Sequence, residues 1–323
     1  MAAETRARPT AASDAPSAPP VGVAIATRDR RRNVVETVLR LRALPEQPPV
    51  VVVDNASSDG TAQALQGIAG VEVIRLAENR GAAARNDAAR RLGTPLVAFS
   101  DDDSWWEPGA LRCAADLFKQ YPEVGLVAAR ILVGPEGKLD PACSAMALSP
   151  LGQPPGHPGP AILGFVACGA IVRRSAFLSV GGFNPLLHLG CEETLLSLDL
   201  ADAGWKLAYA DDVVAHHHPY PGAREGRRAL ELRNLVLIAW LRCSRRWALA
   251  LSGRTALSAI DNQHARVALG GVARLSPELL RRRRRLSVEV ERQLELIEGR
   301  RPHSARRLGA AVFSARPRAL EER

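Results

Sequence analysis

Three consecutive carboxylates, Asp101-Asp102-Asp103, stand at the end of an apolar run, Leu96-Val-Ala-Phe-Ser100, and just before a helix-opening Glu107-Pro108. Adjacent Asp residues repel one another and disfavour helix, so a strand end is a costly place for them unless a cation sits nearby. Side chains alternate along a strand, which sends Asp101 and Asp103 to one side. Two carboxylates at that spacing suit a hard divalent ion whose remaining ligands come from phosphate and water. A solvated acidic loop capping the next helix would use the same residues, so the triplet gains meaning only from its company.

That company is spread over the first hundred residues or so. Val50-Val-Val-Val53, a β-branched strand, runs into Asp54-Asn-Ala-Ser-Ser-Asp-Gly-Thr61, a polar turn of the kind that holds ligands in α/β sheets. Asn79-Arg-Gly81 follows a third strand, Val71 to Leu76, and leads into an Ala-rich helix from Ala82 to Leu92 that Gly93 closes. Farther on, Glu192-Glu193 opens a helix with Gly204 just past its end, and strands around Leu207 and Val213 end in His216-His-His218.

The elements that must position these groups alternate in type. A buried strand, Val21 to Ala26, precedes an amphipathic helix from Arg31 to Leu44, and the strands at 50, 71 and 96 continue the pattern. Such alternation predicts a parallel, doubly wound sheet with Asp54, Asn79 and the Asp triplet all at carboxyl ends of strands. A dinucleotide site is excluded by the loop Thr27-Arg-Asp-Arg-Arg-Arg-Asn33, which has no glycine to let the backbone approach a pyrophosphate. Beyond it lie a helix to about Tyr121, a strand from Val124 to Val133, a Pro- and Gly-dense loop over 149–160, and a strand from Gly164 to Arg173 running into a short helix. Past Pro221 the pattern turns helical. The apolar stretches Ala229 to Leu241 and Trp247 to Leu251, interrupted by arginines, read as a packing helix pair, with an interfacial membrane patch as the alternative. Arg281 to Arg285 reads as a solvated helix face.

Composition sets outer bounds. A chain of 323 residues with 46% hydrophobic content accommodates one large domain plus an appendage. The net charge of +9 is no nucleic-acid signature: fourteen arginines against seven acids from residue 271 onward supply +7 of it, and forty arginines stand against three lysines. Five scattered cysteines without a C-x-x-C pair predict neither a disulfide framework nor a zinc site and fit a reducing cytoplasm. No apolar run of membrane-spanning length occurs, and the Ala-, Pro- and Ser-rich residues 1–20 read as a disordered leader. The expected organisation is a leader at 1–20, a catalytic domain at 21–228, a helical region at 229–300 and a basic tail at 301–323.

Taken in order, five segments of this chain resemble the family 2 glycosyltransferases, of the inverting, bacterial rhamnosyltransferase-like type. They are Val50 to Thr61, Asn79 to Asn86, Ala98 to Asp103, Arg173-Arg-Ser-Ala-Phe-Leu-Ser-Val-Gly-Gly-Phe183, and Glu192-Glu193 ahead of Ala203-Gly-Trp205 and His216. The resemblance covers roughly residues 21–240. It implies an α/β GT-A fold: a Rossmann-like nucleotide-sugar-binding sheet with a mixed acceptor half, here followed by a C-terminal helical extension. It further implies a nucleoside-diphosphate sugar donor, a hydroxyl acceptor on a glycan, lipid or small molecule, and a Mg²⁺ or Mn²⁺ cofactor. Asp54 then meets the nucleotide base in a pocket framed by Thr27, and Asp101 faces the ribose. Asn79, Arg85 and Asp102 complete the donor side, and Asp103, with Asp101 and His216, holds the metal. Glu193 is the base that takes the proton of the acceptor hydroxyl, kept ionised by the helix N-terminus, with Glu192 and Trp106 on the acceptor side. Where the family continues E-D-x-D-L-x-x-R, this chain has Glu193, Leu195 and Asp199, which points to an altered acceptor pocket. No nucleic-acid partner is expected, and the location is cytoplasmic or peripheral at the inner face of the membrane. The competing readings are a nucleotidyltransferase, for which no Gly- and Arg-rich triphosphate loop is present, and a non-catalytic module acting through its Arg-rich tail.

Overall fold

The computed structural model describes residues 20–219 and 227–299, so nearly all of the expected leader and the tail lie outside the described residues. Four strands, β1 (Val21–Thr27), β2 (Val50–Asp54), β3 (Val71–Arg75) and β4 (Leu96–Ser100), lie parallel in the order β3-β2-β1-β4. Every residue of β2 and β4 is buried, as befits parallel strands covered on both faces. Helix α1 (Arg31–Arg42) buries Val34, Val38 and Leu41, the positions its 3.6-residue spacing predicts. Short α2 (Thr61–Leu65) follows β2, and the third connection is one 3-10 turn (Gly81–Ala84) running into α3 (Arg85–Arg91).

Past β4 the sheet becomes mixed. The remaining strands are β5 (Ser104–Trp106), β6 (Val124–Val133), a two-residue β7 (Lys138–Leu139), β8 (Ala170–Arg173) and β9 (Lys206–His217), and the order continues β4-β8-β6-β9-β5. The expected strands near Leu207 and Val213 are one strand. Between the pairs Ala129↔Ala210 and Arg130↔Val214, β9 accommodates three extra residues as a bulge. The strand expected from Gly164 is shorter, starting at Ala170 after a 3-10 turn. The intervening helices are α4 (Ala110–Gln120), α5 (Pro141–Ala147), α6 (Arg174–Ser179) and α7 (Glu192–Asp202).

Four further helices, α8 (Arg227–Arg242), α9 (Arg245–Ser258), α10 (Gln263–Arg282) and α11 (Val288–Gly299), form the C-terminal extension. Helix α7 is buried on most sides because it serves two cores. Leu196 and Leu200 pack into the sheet core, while Leu195 and Leu198 pack with Leu235, Leu237 and Leu241 of α8. Buried charge fixes the same junction: Arg242 donates to both oxygens of Asp199, at 2.5 and 3.0 Å, and Arg284 reaches Asp199 at 3.2 Å. The run at 281–285 is therefore not merely a solvated face. Arg283 donates to the carbonyls of Trp240 and Cys243, so the segment after α10 is strapped across α7 and α8. Among the described residues no helix is long and apolar enough to cross a membrane.

Candidate active site

The carboxyl ends of β1, β2 and β4 form one edge, and the polar clusters converge there. Thr27, the last residue of β1, pairs in register with Asp54 and donates its hydroxyl to Asp102 at 2.9 Å. Thr37 of α1 donates to the Asp102 carbonyl at 2.8 Å. Burial, with Asp103 and Asp101 alongside, pushes the Asp102 carboxyl up to about 6. Asp102 is thus anchored toward β1 and α1, away from its two neighbours.

Asp101 and Asp103 turn to the other side. Asp101 pairs with the buried guanidinium of Arg85 at the start of α3. Asp103 is 7% exposed and lies 3.3 Å from Nε2 of His217, and its carbonyl accepts from His218 N at 2.8 Å. Ligand atoms of Asp101, His217 and the buried Cys168 all lie within 4.8 Å of one another. The histidine that meets the aspartates is therefore His217 and not His216. His216 faces the opposite side of β9, stacks on Trp105 at 5.6 Å and pairs with Glu107. The register Ser104↔His217 and Trp105↔His216 settles this, and the bulge in β9 sets the register.

Arg85 is the hub of the site. Burial works against its charge, yet Asp101, Glu192 and Glu193 together hold the guanidinium more firmly protonated than a free arginine. Glu192, 4% exposed, has its carboxyl pushed up to about 8, by burial first and by Glu193 second, with Arg85 and Arg227 opposing. Glu193 is also raised, by burial first, again against the pull of Arg85 and Arg227. The helix N-terminus was expected to keep Glu193 readily ionised, but burial outweighs it. Two adjacent carboxyls, Glu192 buried and Glu193 half-buried, cannot both ionise easily, which favours a proton shared by the pair.

On the β2 side, Asp54 is 1% exposed and accepts from Ser57 N at 2.9 Å through Oδ1. Its Oδ2 accepts no hydrogen bond, with Arg75 Nε 3.8 Å away, and Oε2 of Glu192 and Nε of Arg85 are likewise buried without one. Polar atoms buried this way are costly and mark where a ligand's complementary groups belong. Asn79 is committed locally: its Oδ1 accepts from Gly81 N at 2.9 Å. That turn needs glycine, because Gly81 sits at φ +59° and a Cβ there would come 2.0 Å from the His188 carbonyl oxygen. Asn86 exchanges hydrogen bonds of 2.9 Å with the backbone N–H and C=O of Phe183, joining α3 to the Gly181-Gly182 turn.

Trp106 does not reach the acceptor side. It is fully buried in the sheet core, opposite Ala215, while Trp105 is the member of the pair that faces outward, under Arg40 at 4.1 Å. His217, Cys168 and Arg227 were missed by sequence reasoning. The alternation Val213, Ala215, His217 was the available signal for the first.

With this geometry in place, comparison with known proteins is decisive. Residues 22–181 match the family model described as glycosyl transferase family 2. The chain carries a glycosyltransferase family 2 domain. This transferase is 27% identical over 311 residues to the N-acetylglucosaminyl-diphospho-decaprenol L-rhamnosyltransferase of Mycobacterium tuberculosis, covering 82% of the chain and 94% of the relative. It is 34% identical over 96 residues, 28% of each chain, to the succinoglycan biosynthesis protein ExoU of Rhizobium meliloti. Among solved structures, the mannosyltransferase PcManGT of Pyrobaculum calidifontis, in complex with GDP-Man and Mn²⁺, superposes with a TM-score of 0.55 at 21% identity over 90% of this chain and 89% of that one. The TarS fragment of S. aureus in complex with UDP-GlcNAc gives 0.54 at 17% identity, over 68% and 65%. The GT-A fold of the transferase is thereby established, with its C-terminal helices as an extension.

Proposed function

We propose that this transferase moves a sugar from a nucleoside-diphosphate sugar to a hydroxyl of a lipid-linked glycan acceptor, by single displacement with inversion, and that Glu193 is its base. The single observation that carries the reading is the hub at Arg85, which joins Asp101 of the carboxylate cluster to the Glu192–Glu193 pair. Donor-side and acceptor-side groups are thereby parts of one electrostatic unit. The lipid-linked acceptor follows the rhamnosyltransferase relative, whose named substrate is a diphospho-decaprenol. A nucleoside-diphosphate donor follows the solved relatives with GDP-Man and UDP-GlcNAc.

The residues fit a divalent ion. Asp101 and His217, with Cys168, place their ligand atoms within 4.8 Å of one another, and Asp103 lies 3.3 Å from the same imidazole, a set in which the imidazole favours Mn²⁺ over Mg²⁺. Such an ion, when bound, neutralises charge on the departing diphosphate. The chain's own groups do the rest. Oδ2 of Asp54, buried without a donor, accepts from an N–H of the nucleotide base. Thr27 holds the Asp102 carboxylate toward β1, while Asp101 and Asp103 lie near His217. Glu193, whose charged form Arg85 favours, is the carboxylate that takes the proton of the acceptor hydroxyl, with Glu192 beside it in the same coupled pair.

The test is Glu193→Gln. Transfer is expected to fall by about 10²–10⁴-fold, the range for loss of a general base, while nucleotide binding is retained. Transfer at the wild-type rate would remove Glu193 from the role.

A further inference from the structure

The C-terminal helices carry a surface that the transfer chemistry does not use. Helix α9 buries Ala248, Leu251 and Thr255 against the rest of the extension, and its N-cap Ser244 accepts from Trp247 N. Its outer face is also apolar. Leu249 is 60% exposed and Leu257 70%, and Ile260, in the turn that follows, is 71% exposed. Arg266 of α10 donates to the carbonyls of Ala259 and Ile260 at 2.9 and 3.1 Å, which fixes that turn. The only charged residues of α9 are Arg245, Arg246 and Arg254, all exposed, and the first acid beyond them is Asp261.

The arrangement around the helix axis is informative. At about 100° per residue, Leu249 and Leu257 lie about 80° apart with Arg246 between them, and Arg245 and Arg254 fall on the two opposite flanks. An apolar stripe that carries one long cationic side chain, Arg246, within it and is flanked by two more, Arg245 and Arg254, suits a helix lying in a lipid interface. The leucines enter the acyl boundary, and the arginines extend sideways to phosphates. A protein core would not place arginines there, and solvent gives no reason for three large exposed aliphatic residues on one short element.

We infer that the outer face of α9, with Leu249, Leu257 and Ile260 between Arg245, Arg246 and Arg254, docks the protein on an anionic bilayer surface. Charge decides the occupant. Positive charge without a carboxylate on the helix complements anionic headgroups and disfavours a second copy of the same face, which would set arginine against arginine. Of the two stretches that the sequence offers as an interfacial patch, Ala229–Leu241 in α8 is largely buried between α7, α9 and α10, so the docking element is α9, which carries Trp247–Leu251. Docking by α9 does not depend on the identity of the acceptor.

The full chain should co-sediment with vesicles of phosphatidylglycerol and phosphatidylcholine and not with phosphatidylcholine alone. The pair Leu249→Ser and Leu257→Ser, and separately the triple change of Arg245, Arg246 and Arg254 to Glu, should each weaken that binding by at least about tenfold. Both variants should keep wild-type nucleotide-induced thermal shifts, a check on folding that also separates docking from the donor site. Three results would overturn the inference: no binding of the wild type to anionic vesicles, variants that bind as the wild type does, or a solution dimer that the serine pair dissolves.

Discussion

The buried pair at the head of α7 makes a prediction whose size can be worked out. Raising the Glu192 carboxyl from 4.5 to about 8 corresponds to about 5 kcal/mol at about 1.4 kcal/mol per tenfold change. The folded chain binds this proton more tightly than the unfolded chain does. Its stabilising effect is therefore complete below about pH 4.5 and is lost as pH rises toward about 8. Glu192→Gln cannot ionise and escapes that loss. In urea unfolding, the stability of the variant relative to wild type should rise by several kcal/mol between about pH 5 and about pH 8.5, with about 5 kcal/mol as the ceiling because the pair shares its proton. With Glu193 as the base, the amide at position 192 leaves the base in place, and transfer should stay within a few-fold of wild type. A stability difference flat across pH, or a Glu192→Gln enzyme inactive at neutral pH, would refute the reasoning.

Other outcomes follow from the same geometry. His217→Ala should weaken metal-dependent nucleotide binding about tenfold or more in titration calorimetry, whereas His216→Ala, on the opposite face of β9, should leave it unchanged. Asp199→Ala should cost about 3–5 kcal/mol in chemical unfolding, because it strands the buried Arg242. The double change Asp199→Leu with Arg242→Met should recover most of that loss, since neither charge is then left alone.

Much of the donor half was legible because its signals are local. The apolar runs of β1 to β4 end in polar turns, and a parallel α/β sheet puts all such ends on one edge, so Asp54 and the Asp triplet had to meet. What misled was parity. The alternation Val213, Ala215, His217 marks the buried side only weakly, because Val214 is apolar too, and three extra residues in β9 against β6 set the facing of the histidines, so His217 and not His216 arrives at the aspartates. The tandem Trp105-Trp106 failed for the same reason: only the pairing of β5 with β9 tells the core ring from the outer one. The arginines at 283 and 284 looked solvated because their partners, the Trp240 and Cys243 carbonyls and Asp199, lie at least forty residues away in sequence. The upward push on the Glu192 carboxyl was illegible too, since a helix N-terminus reads as favourable to an anion until the surrounding burial is known.

The central claim is that a nucleoside diphosphate and a divalent ion share the edge formed by Asp54, Asp101, Asp103 and His217. Thermal unfolding with UDP, GDP, dTDP and CDP, each with Mn²⁺ and with chelator, tests it most directly. A ligand at about a hundredfold excess over its dissociation constant stabilises the native state by about 2.7 kcal/mol. A shift of that order is expected with one of these nucleotides, present with Mn²⁺, absent with chelator, and lost in Asp103→Ala. A nucleotide shift that survives both the chelator and Asp103→Ala would contradict it.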